Sequence, residues 1–158
     1  MIPREHLAHL ERRVSIIMAG RDARLQPHLI RALGCRIQRQ PLRVTVLVAA
    51  DVAGEVLDDL RDNDQVAVVF SEPSTHRTVQ LKGVQVSIEP GSAADRELAR
   101  DYCGRFVAEI ALLGYAEPLI ANMVNHDPAQ LLAVSFTPTA SFDQTPGARP
   151  APESGSSA

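Results

Sequence analysis

The sequence predicts a mainly β, α+β domain: six antiparallel strands curled into a barrel, with helices at its periphery. Three observations predict it. The stretch from Gln65 to Ile88 sets a short β-branched apolar run, Val66 to Phe70, against a longer alternating run, Val79 to Ile88, across the turn Ser71–Glu72–Pro73–Ser74. The alternation slips by one residue at Gly83, as at a bulge that bends a strand and increases its twist. Earlier strand-like segments follow one another without the strand–helix–strand alternation of a parallel sheet, so a curled antiparallel sheet is expected.

In chain order, Met1 to Arg13 reads as a short helix with Pro3 in its first turn and Leu7 and Leu10 on one face. His6 and His9 lie there three apart; with no further ligand nearby they read as exposed helix residues. Val14 to Ala19 is the first strand, His28 to Ile37 the second and Leu42 to Ala49 the third. Asp51 reads as the N-cap of a helix that runs to Asp62, buries Val52, Val56, Leu57 and Leu60, and stops at Asn63. The hairpin supplies the fourth and fifth strands. Ser92 and Asp95 have the spacing of a capping box and open the longest helix, which carries the stripe Leu98, Tyr102, Phe106, Val107, Ile110 and Leu113 and ends at Gly114. Glu117 and Pro118 start one more short helix, and Leu131 to Phe142 is the sixth strand. Residues 1–142 thus form a single domain, and 143–158 a mostly disordered tail.

Composition bounds the function. A chain of 158 residues builds one core, and 45% hydrophobic with 22% charged residues is ordinary for a soluble globular protein. A net charge of −3 gives no general attraction to nucleic acid or to an anionic membrane. No apolar run reaches membrane-span length and the N-terminus lacks a signal-peptide core, so a cytoplasmic location is expected. Cys35 and Cys103 lie far apart and read as reduced packing residues, and no metal site is expected. P-loop, HExxH, nucleophile-elbow and dinucleotide motifs are missing.

What remains is polar groups on strands. Arg31 and Arg36 flank Ala32–Leu33–Gly34–Cys35; a bulge at Gly34 would bring both to one side to grip a phosphate, and otherwise they face solvent or carboxylates. Thr78, Gln80 and Lys82 recur at period two, either as a polar row for a flat ligand with a phosphate tail or as the wet face of the strand. His28 and His76 are acid–base candidates or surface residues.

The series IIMAGRDARLQPHLIRALGCR, VTVLVAAD and LRDNDQVAVVFSEPSTHRTVQLKG, in that order and spacing, resembles the pyridoxamine 5'-phosphate oxidase-like proteins with an FMN-binding split β-barrel, over roughly Val14 to Ile88. The closing FDQTPG is similar to the C-terminal end of some of them. The resemblance implies a homodimer with FMN in a cleft between subunits and a small-molecule substrate; deazaflavin or haem are the alternative ligands, and storage or sensing without turnover the alternative role. By position it carries phosphate contacts onto Arg31 and Arg36, backbone contacts onto Ala49 and Ala50, and a polar contact onto Thr78. With His76 and Gln80 these make up the candidate cofactor set. Two departures stand out. The basic pair of true oxidases falls on Glu55 and Val56, where a carboxylate opposes a phosphate, and their C-terminal substrate-binding segment has no match. Pyridoxamine phosphate oxidation itself is therefore not expected.

Overall fold

The structure, a computed structural model, describes residues 1–115 and 128–147. Seven strands, β1 (Ser15–Arg21), β2 (Pro27–Arg31), β3 (Gly34–Arg39), β4 (Leu42–Ala49), β5 (Val66–Ser71), β6 (Thr78–Pro90) and β7 (Leu131–Asp143), form one sheet in the order β2-β1-β5-β6-β7-β4-β3. Every neighbouring pair is antiparallel. Among the described residues the α-helices are α1 (Arg4–Leu10), α2 (Gly54–Asn63) and α3 (Ala93–Ala111).

The count is seven rather than six because the expected second strand breaks at Ala32–Leu33. There the chain leaves one edge of the sheet for the other. Ala32 N–H donates to the Ile16 carbonyl of β1 at 2.8 Å, and Leu33 N–H to the Leu47 carbonyl of β4 at 2.7 Å. Both residues are buried, so this dipeptide draws the two ends of the sheet together around the core without closing it. Phe70, Phe136, Ile16, Met18, Leu47 and Leu81 fill the enclosed space.

The central hairpin has its expected place, and β6 shifts register at Lys82/Gly83 and again between Val84 and Ser87. The second shift is held by Asp64, whose carboxylate accepts from the N–H groups of Gln85 at 3.0 Å and Val86 at 2.6 Å. The turn is less wet than its composition suggests. Glu72 is buried, where its carboxylate receives Arg12 at 3.0 Å and the Thr75 hydroxyl at 3.0 Å.

Asp51 does not cap α2. The chain first makes a short 3-10 turn, Ala50–Val52, which rotates Val52 into solvent at 62% exposure and delays the helix to Gly54. Val56, Leu57 and Leu60 are buried as expected, and the stop falls one residue beyond Asn63, at Asp64 in the left-handed region. The α3 capping box forms in both directions, Asp95 N–H to Ser92 Oγ and Ser92 N–H to Asp95 Oδ2, each at 3.1 Å. That helix ends at Ala111, which leaves Leu113 exposed. Of the expected tail, Asp143 completes β7 and Thr145 Oγ1 accepts from Thr78 N–H at 3.1 Å. Residues 148–158 of the tail and the helix expected at Glu117–Pro118 lie outside the described residues.

His6 and His9 are buried, contrary to expectation, because α1 lays that side against the hairpin and β7. His6 Nδ1 meets Ser141 Oγ at 2.7 Å, and His9 Nε2 donates to the Phe70 carbonyl at 3.1 Å while its Nδ1 has no partner. Burial pushes the His9 pKa below its ordinary 6.5. The unfolded chain therefore takes up a proton below that value which the folded chain resists, so this residue's contribution is constant above pH 6.5 and turns destabilising as pH falls through it. A His9→Gln variant keeps a donor for Phe70 but does not titrate. Its melting temperature relative to the parent is expected to rise steadily from about pH 7 to about pH 5.5; a difference independent of pH would refute the assignment.

Candidate functional site

Strand alternation sends three cross-strand rows to the sheet face turned away from the core. The first joins Ser15, Ser71 and Thr78. The second joins Arg31, Ile17, Val69, Gln80 and Phe142, and the third Leu29, Ala19, Ala67, Lys82 and Ala140. The middle of the face is small and apolar, with Ile17, Ala19, Ala67 and Val69 only half-buried. Leu29 and Phe142 rise at its sides with 64% and 44% of their surface exposed. Arg21, Gln65, Gln80 and Lys82 border a groove of about 530 Å³ on this face. Lys82 Nζ stands 5.6 Å from the centre of the Phe142 ring. The rows contain cations at Arg31 and Lys82, extended by Arg21 at the end of β1, and neither histidine nor carboxylate. The face is electropositive around an apolar floor.

Arg31, Thr78 and Gln80 are brought together here. Arg31 Nη1 donates to Ser15 Oγ at 3.0 Å and its guanidinium lies 5.5 Å from the Phe106 ring centre; neither contact is a carboxylate. Thr78 Oγ1 is engaged, with Ser71 Oγ at 2.8 Å and the His76 carbonyl at 3.0 Å. Gln80 Oε1 accepts from Gln144 Nε2 at 2.9 Å.

Arg36, Ala49, Ala50 and His76 are not part of this face. Gly34 makes no bulge; the break at Ala32–Leu33 puts Arg31 and Arg36 on strands at opposite edges of the sheet. Arg36 Nε donates to Asp95 Oδ1 at 2.8 Å, so its charge is matched by the α3 capping carboxylate. Burial alone would raise the Asp95 pKa, but the Arg36 and Ser92 hydrogen bonds outweigh it and hold the carboxyl below its ordinary range. Ala49 is buried at the end of β4, and Ala50 N–H already donates to the Gln130 carbonyl at 3.0 Å. His76 sits exposed in the β5–β6 loop at φ 61°.

Sequence reasoning missed the contribution of Arg21, Gln65, Ser15 and Ser71, whose alignment depends on register between strands distant in sequence. It also left His28 unpaired. In the structure His28 Nδ1 is 2.7 Å from Asp59 Oδ2, and its Nε2 is 3.8 Å from Glu55. Glu55, expected to oppose a phosphate, stands beside this imidazole and is 82% exposed.

Burial pushes the Cys35 thiol up to about 12 and that of Cys103 to about 11, which disfavours the thiolate near neutral pH. Among the described residues no cluster of three histidine, cysteine or acidic side chains could hold a metal ion, and no helix is long and apolar enough to cross a membrane.

No family model matches the chain, and no curated protein does. Solved structures do. HupZ of Group A Streptococcus superimposes with a TM-score of 0.54 at 15% identity, covering 96% of this chain and 100% of that one. An F420 reductase gives 0.54 at 14% identity, covering 89% and 98%. A proposed pyridoxamine 5'-phosphate oxidase from Lactobacillus delbrueckii gives 0.53 at 13% identity, covering 89% and 93%. These neighbours are split-barrel proteins of the pyridoxamine 5'-phosphate oxidase-like kind, and this chain has their fold.

Proposed function

We propose that this chain is a homodimeric, cytoplasmic flavin-binding split-barrel protein that acts as an oxidoreductase on a small substrate other than pyridoxamine phosphate. The observation that carries this reading is the outward sheet face: a half-buried apolar floor edged by Arg21, Arg31, Lys82 and side-chain amides, with no carboxylate in its rows. A flat ring system stacks on such a floor, and the cations answer a phosphate tail. An exposed apolar face of this kind also calls for a cover, and a second copy of the barrel supplies one. The fold is shared with an F420 reductase and a proposed pyridoxamine phosphate oxidase, which makes FMN the first ligand to test and a deazaflavin the second.

The fit is partial, and it relocates the phosphate grip. Arg36 is spent on Asp95 and the Ala50 N–H on Gln130, so Arg31, Lys82 and Arg21 are left to hold the anion. A bound flavin would supply the hydride chemistry. The protein's part is to seat the ring on Ile17, Ala19, Ala67 and Val69, pair its phosphate, present Gln80 to a polar edge, and exclude water through the dimer.

Titration of the purified protein with FMN, followed by quenching of flavin fluorescence, tests this. Arg31→Ala is expected to weaken binding about tenfold or more, the worth of one charge-assisted hydrogen bond, and Arg36→Ala to change it by less than about twofold. The reverse order would return the phosphate to Arg36; indifference to FMN and deazaflavin alike would remove the flavin. A non-catalytic carrier on the same barrel is favoured by one observation, that the outward rows hold neither histidine nor carboxylate. Failure of NADH and NADPH to reduce the bound flavin in stopped flow would select that role.

A further inference from the structure

His28 faces inward from β2, cross-strand from Gly20 of β1, where α2 packs over both strands. Gly20 makes room there: a Cβ at that position would stand 2.9 Å from Asp59 Cβ and 3.3 Å from its Oδ2. The vacated space seats the buried Asp59 carboxylate, which meets His28 Nδ1 at 2.7 Å. A carboxylate buried against an imidazole is an expensive way to pack a helix on a sheet, and an apolar pair would fill the same volume at less cost. The arrangement does have a chemical consequence. Asp59 favours the proton on Nδ1, which leaves the lone pair of the neutral ring on Nε2, with the exposed Glu55 carboxylate 3.8 Å away.

That side of the ring opens on a cleft of about 510 Å³ between β2, the Ala50–Val52 turn and the start of α2, with apolar walls that include Pro27, Ile30 and Val56. The charged groups around His28 are Asp59 and Glu55 of α2 and Asp22 of the β1–β2 connection, and Asp51 lines the cleft. All are carboxylates. They raise the imidazole pKa, the Asp59 hydrogen bond most of all, and they disfavour an anionic guest. The first residues of α2, Gly54 and Glu55, follow an N-terminus that has no side-chain cap and border the same cleft.

We propose that His28, oriented by Asp59, is a nucleophilic acyl-transfer residue for small uncharged carbonyl compounds that enter this cleft. Neutral Nε2 adds to the carbonyl carbon of an activated ester, and the alkoxide or phenoxide leaves with the electrons of the broken C–O bond. Asp59 stabilises the positive charge on the acylated ring through Nδ1–H. Water then hydrolyses the acyl-imidazole to the acid and returns Nε2 free, so the net reaction is ester plus water to acid plus alcohol. The chemistry does not rest on the flavin reading: His28 and Asp59 lie on the inward side of the sheet, although Leu29 borders both regions.

The probe is 4-nitrophenyl acetate, read by release of 4-nitrophenolate from the full chain. The rate is expected to rise with pH as His28 loses its proton and to level off above the ordinary imidazole value. His28→Gln is expected to lower it about tenfold or more, towards the solution background. Asp59→Asn, which changes a positioning residue, is expected to lose about tenfold and to move the pH profile down. The anionic mono-4-nitrophenyl succinate is expected to react more slowly than the acetate, with the gap narrowing in Glu55→Gln. Acid-quenched wild-type protein should carry its acetyl group on the peptide containing His28. A His28→Gln rate equal to wild type, an acetyl group found only elsewhere, or an unshifted profile in Asp59→Asn would overturn the proposal. If Asp59→Asn does not fold, the acetyl map and His28→Gln decide between them.

Discussion

Replacing Gly83 by alanine is expected to destabilise the fold by about 3 kcal/mol, the upper end of what overpacking a filled core costs. A methyl group at this position would lie 2.3 Å from Phe136 Cδ2 and 2.7 Å from the Thr137 carbonyl oxygen. The ring has nowhere to retreat, because Phe136 is fully buried, and the carbonyl belongs to the paired strand. The only release is to shift β6 away from β7 where their register already changes, at Lys82/Gly83. In a domain of this size the loss corresponds to a fall in melting temperature of roughly 6–12 °C, measurable by thermal denaturation. A fall of less than about 2 °C would mean that the two strands are not in close contact here.

Phe136→Ala is expected to cost about 4 kcal/mol, from lost apolar burial and from the cavity left beside Gly83 and the fully buried core around it. Combined with Gly83→Ala, it is expected to give less than the sum of the two changes, by about 1 kcal/mol or more, since the truncated side chain no longer meets the added methyl group. Part of the Gly83→Ala penalty should survive, because the Thr137 carbonyl stays in place. Denaturant unfolding of the four proteins in this cycle measures the coupling. Strict additivity would show that the ring is not what holds residue 83 to glycine.

Local patterns proved readable where the forces are local. The hairpin lies within a few residues of its expected bounds, because alternation sets which side chains face in and Ser71 to Ser74 can do little but turn. The Gly83 slip and the Ser92–Asp95 box were legible for the same reason: each is decided within a turn or two of chain. Asp51 shows the limit of such reasoning. Its residue type favours an N-cap, but a 3-10 turn after β4 displaces the helix start to Gly54. His6 and His9 mark a second limit, since whether a short helix hides or shows its polar residues depends on what it lies against.

The candidate site was less legible than the fold. Arg31 was found as a strand cation, and Thr78 and Gln80 as a period-two row. The partnership of Arg31 with Arg36 did not survive, because Ala32–Leu33 joins opposite edges of the sheet and Asp95, at the far end of a long segment, supplies Arg36 with its counter-charge. The His28–Asp59 pair was equally hidden, requiring a strand, a helix and a glycine from a third element to meet.

By itself, the sequence determined the class of the domain, its central bent hairpin and the alternation that makes one sheet face dry and the other open, since these follow from neighbours along the chain. Only the tertiary structure decided which strand cation meets a carboxylate, Arg36 and not Arg31, and which histidine gains a buried one. Pairing of charges depends on distance in space, and a curled sheet sets those distances by register and by where its edges meet.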